Sequence, residues 1–236
     1  MKNVLVTGAS KGIGKVIAET LSESYNVFVT ARNKSNLQNL NMSDYCVCDL
    51  AKEDNLEILK DFIISNNVDI LINNAGEYIY NPADKPSYAE LEHIFKLNSI
   101  APMYLISACI PHMKKQKWGR IVNIGSISGV MGESYASAYS ATKASLIGMT
   151  KAIALEVAQD NITVNTINPG WVETDLGKNS IEDSEFSKEE IIECVPQKRF
   201  VEPIEIVNFI KYLISDEAKG ITGQSINLCA GLSVGY

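Results

Sequence analysis

Short, β-branched apolar runs alternate along this chain with longer stretches in which apolar residues recur at helical spacing. The runs Val4 to Thr7, Val27 to Thr30, Tyr45 to Val47, Ile70 to Ile72, Arg120 to Ile124, Thr163 to Ile167 and Ser225 to Leu228 read as strands. Between them, Gly14 to Glu23, Asn55 to Ser65, Tyr88 to Met113, Ala138 to Ala158 and Pro203 to Ile214 read as helices. Strands that are apolar along their whole length are buried on both faces. The alternation therefore predicts an α/β fold, a doubly wound parallel sheet of about seven strands with helices on both faces. A single domain over residues 1–236 accounts for the pattern, with no linker and no internal repeat. The exception is Gly177 to Glu193, polar and acidic with few apolar anchors. It predicts a mobile surface segment before the last helix, a substrate lid near residues 177–200.

Composition narrows the class. The 236 residues are 46% hydrophobic and 21% charged, values of a soluble globular protein and too apolar for intrinsic disorder. The net charge is −7 with no dense run of Lys and Arg, so nucleic acid is not an expected partner. No apolar run approaches the roughly 20 residues that cross a bilayer. Met1-Lys2 leads straight into a strand-like run rather than a signal peptide, so a cytoplasmic protein without a membrane partner is expected. The five cysteines, Cys46, Cys48, Cys109, Cys194 and Cys229, are odd in number and scattered, which predicts reduced core thiols. Cys46 and Cys48 share one face of a strand. His93 and His112 have no partner at metal-ligand spacing, and no metal site is expected.

Two segments carry chemistry. The first strand runs into Gly8-Ala9-Ser10-Lys11-Gly12-Ile13-Gly14 and then a helix. Glycines there bring backbone N–H groups at a helix start up to a pyrophosphate, although the same residues also suit a plain tight turn. The second strand ends in Ala31-Arg32-Asn33, without the acidic residue that would accept from a ribose 2′-hydroxyl. Arg32, with Lys11, suits a 2′-phosphate instead, so NADP(H) is favoured over NAD(H); the alternative is that both are solvated surface charges.

In the second segment, Tyr139 and Lys143 stand at i and i+4 on one helix face. A phenol with a pKa near 10 needs a nearby cation to exchange protons at neutral pH, and a lysine one turn away supplies it. Ser126 follows a buried-strand pattern, at the strand end where open α/β sheets bind ligands. Such a Tyr-x-x-x-Lys pair also arises by chance on exposed helices, and its weight comes from the glycine turn beside it.

Taken with Asp49-Leu50, Asn73-Asn74-Ala75-Gly76, Asn98 and Asn168-Pro169-Gly170 with Thr174, these segments resemble the short-chain dehydrogenase/reductase family in order and spacing over essentially the whole chain. The resemblance implies a Rossmann-like domain that transfers hydride between a nicotinamide coenzyme and a carbonyl or secondary alcohol. It places Gly8, Ser10, Lys11, Gly12, Ile13 and Gly14 on the pyrophosphate, Arg32 on the 2′-phosphate and Asp49 and Leu50 at the adenine. Asn74, Ala75 and Gly76 would line the coenzyme cleft, and Pro169, Gly170, Val172 and Thr174 would clamp the nicotinamide. Ser126 and Tyr139 would bond the carbonyl, Tyr139 would exchange the proton, Lys143 would lower its pKa and bond the ribose, and Asn98 would anchor a water leading to Lys143. The family also implies a homotetramer, or a homodimer.

Among its members the chain looks most like 3-oxoacyl-(acyl-carrier-protein) reductases, in Gly119-Arg120-Ile121-Val122-Asn123-Ile124-Gly125-Ser126, Ala141-Thr142-Lys143-Ala144-Ser145-Leu146-Ile147-Gly148 and Ile221-Thr222-Gly223-Gln224. Those enzymes tend to carry two basic residues where this chain has Lys117 and Asp160, and the ending Leu228-Cys229-Ala230-Gly231 also departs from theirs. The expected substrate is a small-molecule or carrier-bound carbonyl, a 3-oxoacyl thioester first. A sugar or other secondary alcohol is the alternative, and a catalytically silent NADP-binding sensor is the rival from another class. Tyr135 would either wall the substrate site or pack within its loop, and Trp171 would touch substrate or cover the nicotinamide.

Overall fold

The computed structural model describes residues 1–38, 40–182 and 186–234. Its seven strands are β1 Asn3–Thr7, β2 Asn26–Ala31, β3 Asp44–Val47, β4 Ile70–Asn73, β5 Gly119–Ile124, β6 Ile162–Pro169 and β7 Ser225–Leu228. They form one sheet in the order β3-β2-β1-β4-β5-β6-β7, and every neighbouring pair is parallel. The helices are α1 Gly12–Leu21, α2 Lys34–Gln38, α3 Glu53–Ser65, α4 Tyr88–Phe95, α5 Ala101–Gln116, α6 Ser128–Met131, α7 Ser137–Val157, α8 Asp175–Glu182, α9 Lys188–Cys194 and α10 Pro203–Leu213. The doubly wound single domain expected from the apolar pattern is the fold observed.

Period-two alternation of side chains splits the strands between two cores. Leu5, Leu71, Ile121 and Val164 point to one face, where Leu59 of α3, Leu105 and Met113 of α5 and Leu146 of α7 cover them. Val4, Val6, Ile72, Val122 and Ile167 point to the other, beneath Ile17 and Leu21 of α1 and Ile206 and Ile210 of α10. Cys46 and Cys48 lie in the first of these cores, as their spacing requires. Four of the five cysteines are buried; Cys194, at the end of α9, is exposed, which corrects the expectation of core thiols throughout.

The sheet fixes where a ligand site can form. From β1 the chain winds outward through β2 and β3, then returns to lay β4 on the other side of β1. Connections leave the carboxyl ends of β1 and β4 in opposite directions, and a crevice opens between them.

Three expectations need correction. The long helix over Tyr88 to Met113 is α4 and α5 joined by a π turn, Lys96–Ile100, and the helical stretch continues to Gln116. Being continuous, Tyr88–Gln116 is long and apolar enough to cross a membrane by length and composition, with a window of mean hydropathy 1.3, although half of that window is buried inside the fold. The segment Gly177 to Glu193, in which no helix was expected, holds most of α8 and α9. There the Ser187 hydroxyl caps the backbone N–H of Glu190 while the Glu190 carboxylate accepts from the Ser187 N–H, a reciprocal cap that starts α9. Part of the expected lid, residues 183–185, lies outside the described residues.

Candidate active site

A cleft of about 400 Å³ occupies the crevice. Its floor is the glycine turn. Gly8 has φ +67° and Gly12 φ +56°, left-handed conformations that side chains rarely adopt. At Gly14 an added Cβ would lie 2.3 Å from Asn74 Nδ2 and 2.4 Å from the Gly8 carbonyl oxygen. The Asn74 amide donates to the carbonyls of Thr7 (2.9 Å) and Gly8 (3.2 Å), and the Thr7 hydroxyl accepts from the N–H groups of Asn74 and Ala75 (both 3.0 Å). The ends of β1 and β4 are thus stapled together around the turn. Lys11 stands at the N-cap of α1, and no side chain caps that helix. Its first N–H groups and the positive end of its dipole are left for an anion, with Ser10, Lys11 and Ile13 at the cleft wall.

Thr30, Ala31 and Arg32, at the end of β2, form the adjoining wall. Arg32 Nη1 lies 2.5 Å from Glu77 Oε1, and Glu77 Oε2 lies 2.9 Å from His93 Nε2. Glu77 directly follows the Asn74-Ala75-Gly76 segment and was not foreseen; only its position after that segment hinted at a role. Leu50 and Cys48 reach the cleft but Asp49 does not line it. The Asp49 carboxylate accepts from the Ala51 N–H (3.1 Å) and faces Lys52.

At the other end, α7 and the loop after β5 bring Tyr139, Lys143 and Ser126 to one spot, at 8%, 4% and 9% exposure. Lys143 Nζ donates to the Ile124 carbonyl at 2.9 Å and lies 5.7 Å from the centre of the Tyr139 ring. Burial pushes the Lys143 ammonium down to about 8. The Tyr139 phenol is pushed up to about 12, first by burial, against which a hydrogen bond with Ser126 acts, while the Glu133 charge raises it further. The expected lowering of Tyr139 by its lysine neighbour is therefore not the balance in this arrangement, where Lys143 is bonded to a backbone carbonyl.

Asn98 sits in the π turn, fully buried. Its side chain accepts from the Glu77 N–H (3.0 Å), donates to the Glu77 carbonyl (2.9 Å) and donates to Thr142 Oγ1 (3.2 Å). A Cβ placed on Gly76 would fall 3.2 Å from Asn98 Oδ1 and 3.3 Å from Lys143 Nζ, so these two groups flank the same glycine. Single π turns widen a helix and re-aim one side chain, and they recur at functional sites.

Pro169, Gly170, Val172 and Thr174 form the roof after β6, with Trp171 stacked on Phe200 at 5.9 Å. Gly177 and Ser180, from the expected lid, and Leu176 just before it also face the cleft. Tyr135 does not: it packs on Tyr80 at 5.2 Å outside it. Unforeseen contributors are Tyr78, in the loop after β4, Ser128 and Met131, at the two ends of α6, and Glu133, just beyond it. Among the described residues no group of three or more metal-ligating side chains occurs, and each histidine contacts a carboxylate, His93 on Glu77 and His112 on Asp69.

The sequence profile of the short chain dehydrogenases matches residues 2–185. The chain belongs to that family. It is 37% identical over 239 residues to the 3-oxoacyl-[acyl-carrier-protein] reductase FabG of Buchnera aphidicola subsp. Schizaphis graminum, covering 98% of this chain and 97% of the relative. The Escherichia coli K12 enzyme of the same name is 36% identical over 241 residues, with 98% and 97% covered. Among solved structures, a variant actinorhodin polyketide ketoreductase with NADPH superposes with a TM-score of 0.92 at 32% identity, covering 99% of this chain and 98% of that one. A putative NAD(P) dependent gluconate 5-dehydrogenase from Beutenbergia cavernae with bound NADP gives 0.91 at 28% identity, covering 99% and 97%. As a short chain dehydrogenase the protein is an oxidoreductase acting on CH–OH groups.

Proposed function

We propose that this enzyme uses NADP(H) to reduce a ketone to a secondary alcohol, with a 3-oxoacyl thioester as substrate. The observation that carries this reading is one cleft holding both an uncapped, glycine-built helix start with Lys11 and Arg32 beside it and the buried Ser126, Tyr139 and Lys143 cluster. The donor set fits a dinucleotide: N–H groups and a lysine for the pyrophosphate, an arginine for the 2′-phosphate, and no carboxylate at the end of β2 to compete for the ribose.

When bound, the coenzyme supplies hydride to the carbonyl carbon. Ser126 and Tyr139 hold the carbonyl oxygen, and the high pKa of Tyr139 keeps its proton in place until alkoxide character develops there. Lys143, buried beside it, stabilises the phenolate that remains and passes a proton back to it, and Asn98 anchors a water through which Lys143 regains that proton. Leu50 edges the adenine side, Asp49 stands beside it outside the cleft, and Gly177 and Ser180 belong to a lid over the substrate.

The thioester reading draws on the two 3-oxoacyl reductases described above. Carrier docking is weakened because Lys117 Nζ is ion-paired with Asp160. A sugar ketone remains the second substrate reading, favoured by the gluconate 5-dehydrogenase likeness. For quaternary structure we propose a homotetramer, since Tyr88, Ile100, Met103 and Leu155 are exposed on the α4, α5 and α7 surfaces; sedimentation tests it. The enzyme is placed in the cytoplasm, with no nucleic-acid or membrane partner.

The test is NADPH and NADH oxidation run in parallel with 3-oxoacyl thioesters on coenzyme A and on carrier protein and with sugar ketones. Turnover of a thioester with NADPH is expected. Tight NADPH binding without turnover of any ketone would favour the sensor reading.

A further inference from the structure

Glu133 stands seven residues after Ser126, half-buried at the substrate end of the cleft. Both its oxygens are fixed: Tyr78 donates to Oε1 at 2.7 Å and Ser128 donates to Oε2 at 2.5 Å. An ionised carboxylate only accepts, so the Ser128 hydrogen is committed to Glu133. Ser126 in turn donates to Ser128 Oγ, at 3.1 Å. The array that begins at a carboxylate ends on Ser126, whose hydrogen turns from Ser128 to the carbonyl when substrate binds. Tyr78 also packs edge-on against the Tyr139 ring at 5.0 Å, so the carboxylate is locked close to the reacting centre from two sides.

Among the described residues Glu133 joins no ion pair, and the buried cation nearby, Lys143, is bonded to the Ile124 carbonyl. Burial and the Glu133 carboxylate raise both Tyr78 and Tyr139, which puts the carbonyl position within reach of its field. The other cleft-lining carboxylates, Glu77 and Asp175, have the same sign, and Met131, Trp171, Leu176 and Leu232 are uncharged.

We propose that Glu133 is a specificity-determining residue that excludes ketones bearing a carboxylate one methylene away from the reacting carbonyl. The substrate class is then a neutral 3-oxo ester, thioester or amide, or a ketone carrying a hydroxyl or ammonium donor, and not a free 3-oxo acid. This rests on the reading that the carbonyl binds at Ser126 and Tyr139. Two like charges about 6 Å apart at an effective dielectric near 20 correspond to a discrimination of ~100-fold.

The experiment measures kcat/KM with NADPH for methyl acetoacetate and for acetoacetate, in wild type, Glu133→Gln and Glu133→Asp. Expected is a wild-type preference of ~100-fold for the ester. Glu133→Gln should cut that preference at least tenfold through a gain on the acid, while Glu133→Asp, which keeps the charge, should retain it. An equal preference in wild type and Glu133→Gln, or its loss in Glu133→Asp as well, overturns the proposal and leaves the reductase reading standing. Failure of wild type to reduce either ketone, or any other in the thioester and sugar panel, overturns the reductase reading and this proposal together. Circular dichroism and NADPH binding confirm that each variant is folded.

Discussion

Arg32 and Glu77 meet across the cleft at 2.5 Å, joining the end of β2 to the loop after β4. The arginine that suits a 2′-phosphate already holds a carboxylate, so the phosphate must displace it. Arg32 is 61% exposed, and exposed pairs contribute at most about 1 kcal/mol. Glu77→Gln should therefore tighten NADPH by no more than ~5-fold and leave NADH unchanged. Arg32→Ala should weaken NADPH by ~10- to 100-fold with little effect on NADH. Fluorescence titration of both coenzymes checks the pair, and equal effects on the two would remove Arg32 from the 2′-phosphate.

Removing one oxygen isolates the proton donor. Tyr139→Phe keeps the ring that packs against Tyr78 and loses the hydroxyl. Turnover should fall by several powers of ten with NADPH affinity within about threefold of wild type. Near-full ketone reduction by this variant would sink the assignment.

Lys143 links the site to stability through pH. Its ammonium is near 8 in the fold against 10.5 unfolded. Below about pH 8 both states carry the proton and the fold bears the whole penalty of burying it. From there to about pH 10.5 the unfolded chain keeps a proton that the native state has released, so stability rises with pH. Lys143→Met, with no proton to lose, should be more stable than wild type at neutral pH by up to about 3 kcal/mol, and the gap should close by about pH 10.5. Urea unfolding at a series of pH values measures it; a constant gap would refute it.

Asp160 is only 6% exposed, and its partner Lys117 reaches it from a left-handed position, φ +56°. Asp160→Asn frees the Lys117 charge without reversing its neighbour's. The KM for a carrier-bound thioester should fall several-fold at low salt and not at high salt, while that for the coenzyme A thioester stays level. Kinetics at two ionic strengths decide this.

What could be read in the sequence followed local rules. Val4, Leu5 and Val6 are buried on both faces, so their strand announces itself without partners. Tyr139 and Lys143 needed only the turn of one helix to meet. The π turn was hidden because Lys96 to Ile100 carries no breaker and lies inside a longer helical rhythm. The helix α9 was missed for a different reason: Ser187 and Glu190 were visible as a capping pair, but too few apolar residues followed to give a period. Glu77 and Glu133 are defined by Arg32, His93, Tyr78 and Ser128, which lie from five to 55 residues away. No periodicity connects residues that only the fold makes neighbours.

The Thr7 and Asn74 staple bears on how the cleft is filled. A turn held in shape by its own protein has little freedom left to surrender when phosphates arrive, so the attraction is spent on retention rather than on ordering the loop. The pyrophosphate end of the cleft is a finished receptacle. Each turnover oxidises one coenzyme, so the dinucleotide must be exchanged as often as the substrate, and a turn that keeps its own shape is ready for the next one.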